Sequence, residues 1–223
     1  NKAKLISNVN TDLIDDPNIT PDLLLVLNYS KRIPDGICNY IPCVNVHSGI
    51  LPFWRGLNSN LWAILNGEQQ AGYSIHQISE DYDAGNIYKI ISANVDEFSD
   101  YSLLSAHLQK QVSAILPELL TAIINQRATT ISQTKSPYTF TTKMRPDDTI
   151  ITNWNKDIDH YHRLFYIVGH VNGTGLHICI NKKRYRIQKI SKMQMLCIPQ
   201  AFIPGSVIYT DAQGKVGIAV RNG

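Results

Sequence analysis

The sequence has 223 residues, with 21 Lys and Arg against 18 Asp and Glu, a formal net charge of +3, and 43% hydrophobic residues. This length buries a sizeable core and accommodates one large domain with a small companion. Only 17% of residues are charged, which excludes a disordered chain, and the near balance of signs gives no argument for a nucleic-acid partner.

No run approaches the roughly 20 apolar residues of a membrane-spanning helix, and no basic-then-apolar secretory leader opens the chain. The expectation is a cytoplasmic protein with no membrane partner. Cys38, Cys43, Cys179 and Cys197 form no C-x-x-C pair and lack the histidine spacing of a zinc site, so they read as reduced, buried thiols and no metal is expected.

In chain order, residues 3–9 predict a short strand, and Asp15-Asp16-Pro17-Asn18 a turn before Pro21. Leu23 to Leu27 is apolar at every position, as in a parallel strand covered on both faces. It runs into Asn28–Pro34, at the carboxyl end where open α/β sheets place ligands. Val44-Asn45-Val46-His47 alternates apolar and polar, so a strand there projects Asn45 and His47 from one face and turns both valines inward. Ser48-Gly49 and Leu51-Pro52 then stop the strand and leave both polar side chains near its accessible end.

Residues 58–66 predict a helix, capped by Asn58 or Ser59 and ended by Asn66-Gly67, with Leu61, Trp62 and Leu65 as its apolar face. Two strands, 71–79 and 86–92, flank the acidic loop Glu80–Gly85, and His76 reads as a hydrogen-bonded structural histidine of the first. A long amphipathic helix follows over 102–125, with Leu103, Leu104, Leu108, Val112, Ile115, Leu116, Leu119, Leu120 and Ile123 on its stripe. Residues 131–152 read as a linker. A helix over 157–168 and strands at 176–180, 184–190, 205–210 and 215–220 predict a small β-rich second domain over 153–223.

Other motifs carry less. Gly173-Thr174-Gly175 precedes a strand and has no third glycine, so it reads as a turn. His160 and His162, two apart on a helix, do not share a face. Lys182–Arg186, with Lys189 and Lys192, is the one strong charge cluster, suited to phosphates or to a solvated face.

Asn45-x-His47, the Ser48-Gly49-Ile50-Leu51-Pro52 turn, Arg55-Gly56, Trp62–Glu68, Gly72 and Asp83-x-Gly85 together resemble the folate-dependent formyltransferases. That family includes the methionyl-tRNA, glycinamide ribonucleotide and nucleotide-sugar amine enzymes. The resemblance implies a Rossmann-like α/β catalytic domain over 1–130 with a mostly parallel sheet, plus the small carboxyl-terminal domain. Because family members open with a further strand and helix, it also implies that the first β-α unit is missing here.

On that resemblance Asn45, His47 and Asp83 are the catalytic trio. Arg32, Ile33, Ser79, Glu80 and Asp81 border the site of the co-substrate, N10-formyltetrahydrofolate, and Ser48, Gly49, Trp54 and Arg55 face the amine acceptor. Leu57–Asn60 and Ser74–Gln77 look more like the nucleotide-sugar amine enzymes, of the kind that serve O-antigen and lipopolysaccharide biosynthesis, than like the tRNA enzymes. The expected partner is therefore a nucleotide-linked amino sugar, with tRNA second and a homodimer as an assembly left open. Two alternatives stand beside these: a noncatalytic folate-binding remnant and a formyl-folate hydrolase.

Overall fold

A computed structural model describes residues 21–29, 31–34, 36–133, 137–173, 175–180, 182–191, 203–210, 212–213 and 215–221. The strand expected at 3–9, Lys192 and Cys197 lie outside these residues. The chain divides into two units. One comprises Asn1–Asn60, Gln70–Ala93 and Ala106–Lys143, and the other Leu61–Gln69, Asn94–Ser105 and Met144–Gly223.

The first unit is built on a four-stranded sheet in the order β1 (Leu24–Leu27), β2 (Cys43–His47), β4 (Gln70–Gln77) and β5 (Ile87–Asn94). The apolar run Leu24–Leu27 pairs parallel with β2. Leu24 and Val26 are buried, but Leu25 is half-buried and Leu27 is 57% exposed, so the strand is not covered on both faces as its all-apolar sequence suggested. β4 returns antiparallel to β2, so among the described strands the sheet is mixed where the sequence suggested a mostly parallel one. The intervening β3 (Trp54–Gly56) and helix α2 (Ser59–Leu65) bring the chain back in the opposite direction. Short helix α1 (Ile37–Tyr40) joins β1 to β2.

Helix α3 (Tyr101–Ile124) supplies the apolar cover. Val112 and Ile123 are buried with Val44 of β2 and Ile75 of β4, and Ile115, Leu116, Leu119 and Leu120 pack against them. Leu103, expected on this stripe, is exposed. In α2, Leu61 and Ile64 are fully buried, whereas Trp62 and Leu65 are half-buried at the margin of its apolar face.

Of the stretch 131–152 read as a linker, residues up to Lys143 belong to the first unit and those from Met144 to the second. Strand β6 (Thr139–Thr141) pairs parallel with β3, and Gln133 is buried. Polar composition suggests a linker, but these Thr and Gln side chains are polar because they satisfy buried main-chain groups.

In the second unit, β7 (Ile150–Ile151), β8 (His177–Ile180) and β9 (Lys183–Arg186) form one sheet, and β10 (Val207–Thr210) pairs with β11 (Val216–Ile218). Helix α4 (Ile158–Asn172) is capped by Asp157, which accepts from the His160 N–H at 2.6 Å, and it ends at Gly173 with φ +65°. Tyr161, Leu164, Ile167 and Val168 form its buried face. Cys38 and Cys179 are exposed, against the expectation of buried thiols, while Cys43 is buried. The two exposed cysteines sit on a four-residue helix and on a strand of a small sheet, where little packs over them. Among the described residues no helix is long and apolar enough to cross a membrane.

Candidate functional site

Alternation along β2 does what the sequence predicts: Val44 enters the core, while Asn45 and His47 share the other face. Opposite them, β4 pairs His76 with Asn45 and Ser74 with His47. Asp83 reaches this face from the loop after β4. It has a left-handed backbone, φ +54°, a conformation that Asp tolerates better than most residues. Three separated stretches of sequence thus place Asn45, His47, His76 and Asp83 around one carboxylate.

The hydrogen bonds assign the protons. His47 Nε2 lies 2.8 Å from the Trp54 carbonyl oxygen and so carries a hydrogen, leaving Nδ1 turned to Asp83 Oδ2 at 3.5 Å. His76 Nδ1 lies 2.7 Å from the Gln77 carbonyl, which makes Nε2 of a neutral ring an acceptor. Asn45 Nδ2 stands 3.1 Å from that Nε2 and 3.3 Å from Asp83 Oδ1. Both amide hydrogens of Asn45 are therefore engaged, and the amide cannot be flipped without setting its oxygen against the carboxylate. The other Asp83 oxygen accepts from the Gly56 N–H at 2.9 Å.

Burial lowers the His47 pKa below the ordinary 6.5, outweighing the attraction of Asp83 and the Trp54 carbonyl for its proton. For Asp83, burial alone would raise the pKa. The His76 and His47 rings and the Gly56 N–H together outweigh it, and the carboxyl sits below its ordinary 3.8. The site thus rests as a neutral imidazole facing a carboxylate, a pair able to take up one proton between them.

Small residues make room for this arrangement. A Cβ on Gly49 would stand 2.5 Å from His47 Nε2 and 2.8 Å from both Ser59 Cβ and the Trp54 oxygen. Gly56 has φ +96° and lies against the Thr141 backbone, a placement that only glycine accepts. Thr141 Oγ1 lies 2.9 Å from both the Arg55 and the Leu57 carbonyl oxygens and shares its one hydrogen between them, which fixes β3 beside β6.

The structure separates the remaining sequence-predicted residues. Trp54 enters through its main-chain carbonyl, and its side chain is half-buried. Arg55 is buried and donates to Gln133 Oε1 at 3.0 Å. Ser48 is half-buried, its carbonyl accepting from Asn60 N–H, and Gly49 is buried. Arg32, Ser79, Glu80 and Asp81 are exposed, whereas Ile33 belongs to a core cluster with Leu24, Val26 and Ile37. Ile33 therefore packs instead of presenting its side chain to a ligand. Ile78, just before the 79–81 loop, packs on the same cluster.

Sequence reasoning missed two members. His76 reads as structural in isolation, although Ser74-Ile75-His76 has the same polar alternation as Asn45-Val46-His47 and only needed pairing in register. Gln133 donates from Nε2 to the Asp83 carbonyl at 3.0 Å and to the Gly85 carbonyl at 2.5 Å, so it ties the acidic loop to Arg55. No local signal marked it. Among the described residues no group of three or more His, Cys, Asp or Glu is arranged to hold a metal ion.

A family model described as formyl transferase matches residues 6–120. The methionyl-tRNA formyltransferase of Dictyoglomus thermophilum is 28% identical over 210 residues, covering 92% of this chain and 65% of its own length. This chain thus spans less than two thirds of that curated relative. Among solved structures, a 4-N formyltransferase from Francisella tularensis aligns with a TM-score of 0.64 at 19% identity, over 76% of this chain and 72% of its own. WlaRD, a sugar 3N-formyl transferase solved with dTDP and 5-N-formyl-THF, aligns with a TM-score of 0.59 at 21% identity, over 75% and 64%.

Proposed function

Because the chain belongs to the formyl transferase family, we propose that it transfers a formyl group from N10-formyltetrahydrofolate to the amine of a nucleotide-linked amino sugar. The observation that carries the transfer step is the neutral His47 facing the Asp83 carboxylate, with Asn45 held between Asp83 and His76, while the sugar acceptor rests on the likeness of Leu57–Asn60 and Ser74–Gln77 to the nucleotide-sugar amine enzymes. Attack by an amine on a formyl carbon needs a base for the ammonium proton and a route for that proton to the departing nitrogen. His47 Nδ1, paired with Asp83, supplies both.

In this scheme the acceptor nitrogen forms a bond to the formyl carbon, and the carbonyl electrons move to oxygen. The proton lost by the amine passes through the His47–Asp83 pair to the folate nitrogen as the carbon–nitrogen bond to folate breaks. Asn45, with both hydrogens engaged, presents its carbonyl oxygen as an acceptor for the incoming amine's N–H. Arg32 and the Ser79–Asp81 loop would border the folate.

Transfer to methionyl-tRNA is the second reading, favoured by the exposed basic strand Lys183–Arg186 in the second unit. Mass spectrometry after incubation with N10-formyltetrahydrofolate and a panel of thymidine, uridine and guanosine diphosphate amino sugars, beside methionyl-tRNA, tests both. One formyl added to a sugar nucleotide, absent with His47→Ala, supports the first reading. Product on tRNA alone replaces it, and no product on any acceptor overturns both.

A further inference from the structure

The fold leaves the charge of Arg55 unanswered. Its side chain is 8% exposed, and its partners are the Gln133 oxygen and the Tyr138 ring, whose centre lies 4.2 Å from the guanidinium carbon. Nε is buried with no hydrogen-bond acceptor, and among the described residues no carboxylate pairs with the guanidinium. A buried cation without a counter-charge is costly and points to an anion that arrives with a ligand.

Exposed rings surround it. In the β3–β6 pair Arg55 stands opposite Phe140, and the Tyr138 ring, from the residue before β6, lies over the Arg55 guanidinium. Tyr138 is 57% exposed, Phe140 55% and Tyr82 51%, and Phe140 meets Tyr82 edge to face at 6.5 Å. Tyr82 adjoins Asp83. On either side of Arg55, the Trp54 carbonyl holds His47 and the Gly56 N–H holds Asp83. Solvent-facing aromatic rings gathered beside a reactive carboxylate form a ligand surface more readily than a fold-stabilising one.

Resting on the sugar-nucleotide reading above, we infer that Arg55, Phe140 and Tyr82 form the subsite for the nucleoside diphosphate portion of the acceptor. The base stacks on the Phe140 and Tyr82 rings, and a phosphate oxygen accepts from Arg55. Tyr138 covers the guanidinium until then, and its cation–π contact gives way to the stronger charge-assisted hydrogen bond. The strand that holds His47 and Asp83 thereby also anchors the acceptor, which fixes how far the sugar's amine lies from the reacting centre.

The test is calorimetric titration of dTDP, UDP and GDP, of their nucleosides and of a CCA-ended oligonucleotide into the protein without folate, comparing wild type with Phe140→Ala, Tyr82→Ala, Arg55→Lys and Tyr40→Ala. The Phe140, Tyr82 and Tyr40 rings are exposed, so those variants keep the fold whatever Arg55→Lys does. One diphosphate should bind wild type and Tyr40→Ala alike and weaken about ten-fold with Phe140→Ala or Tyr82→Ala. With Arg55→Lys the advantage of the diphosphate over its nucleoside should shrink. Equal binding by all variants, no binding by wild type, or binding only of a CCA-ended oligonucleotide overturns the subsite. Diphosphate binding here with no formylated sugar nucleotide sinks the acceptor reading alone. Formyl transfer with an unchanged acceptor KM in Phe140→Ala and Tyr82→Ala sinks the subsite alone.

Discussion

His47 gives its Nε2 hydrogen to the main-chain carbonyl of Trp54 at 2.8 Å, seven residues further along the same chain. That bond decides the tautomer, and the tautomer decides that the basic nitrogen of the ring faces Asp83. The turn between the two residues therefore aims the imidazole as well as ending β2.

Removing either partner of the proton-handling pair should stop transfer without unfolding the protein. His47→Ala is expected to lower kcat by about 10²–10⁴-fold. Asp83→Asn keeps an oxygen for the Gly56 N–H but loses the charge, and a fall of about 10²-fold or more is expected. Single-turnover formyl transfer, read beside thermal melting, checks both. Wild-type rates in Asp83→Asn would remove the carboxylate from the mechanism.

Stability should depend on pH through His47. In the unfolded chain it takes up a proton near 6.5, and in the fold burial holds it below that value. The unfolded state binds more protons in this window, so the contribution is complete above about pH 6.5 and is lost as pH falls through the depressed folded value. Asp83 adds a loss of the same sign at lower pH, beginning below 3.8. Urea midpoints at pH 7.5 and 5.5 should show a smaller drop for His47→Gln than for wild type. An equal drop would place the proton uptake elsewhere.

His76 is expected to act through Asn45. Replacing it with Leu strands a half-buried amide N–H, at about 1 kcal/mol of stability, and leaves the Asp83 carboxylate alone to hold the Asn45 amide. Activity should fall, mostly in kcat, and His76→Gln, which restores an acceptor oxygen near the same place, should recover part of it. If His76→Leu and His76→Gln behave alike, the ring is only filling space.

Two glycine substitutions should move in opposite directions. Gly49→Ala drives a methyl into His47, Ser59 and the Trp54 carbonyl, so about 1–3 kcal/mol of destabilisation is expected, together with loss of the His47–Trp54 bond. Gly169→Ala, within α4 and with open space around its added Cβ, should stabilise by about 0.5–1 kcal/mol. Thermal melts of the two variants decide both.

The sequence by itself determined most of the elements and set Asn45 beside His47, while Asp83 joined them only through the family resemblance. Strand period set the shared face of Asn45 and His47, helical period set α3 and most of its apolar stripe, and Asn66-Gly67 set the end of α2, with Gly67 at φ +96°. These features follow from interactions between residues near one another in the chain. Tertiary structure alone decided that β4 runs antiparallel to β2, that His76 lies opposite Asn45, that Gln133 bridges Arg55 to the Asp83 loop, and that Ile33 packs inside. Each depends on partners about 27 to 78 residues apart or on an apolar cluster drawn from several segments. A side chain's local sequence fixes the direction in which it leaves the backbone; which group it meets is fixed only by the register in which distant strands pair.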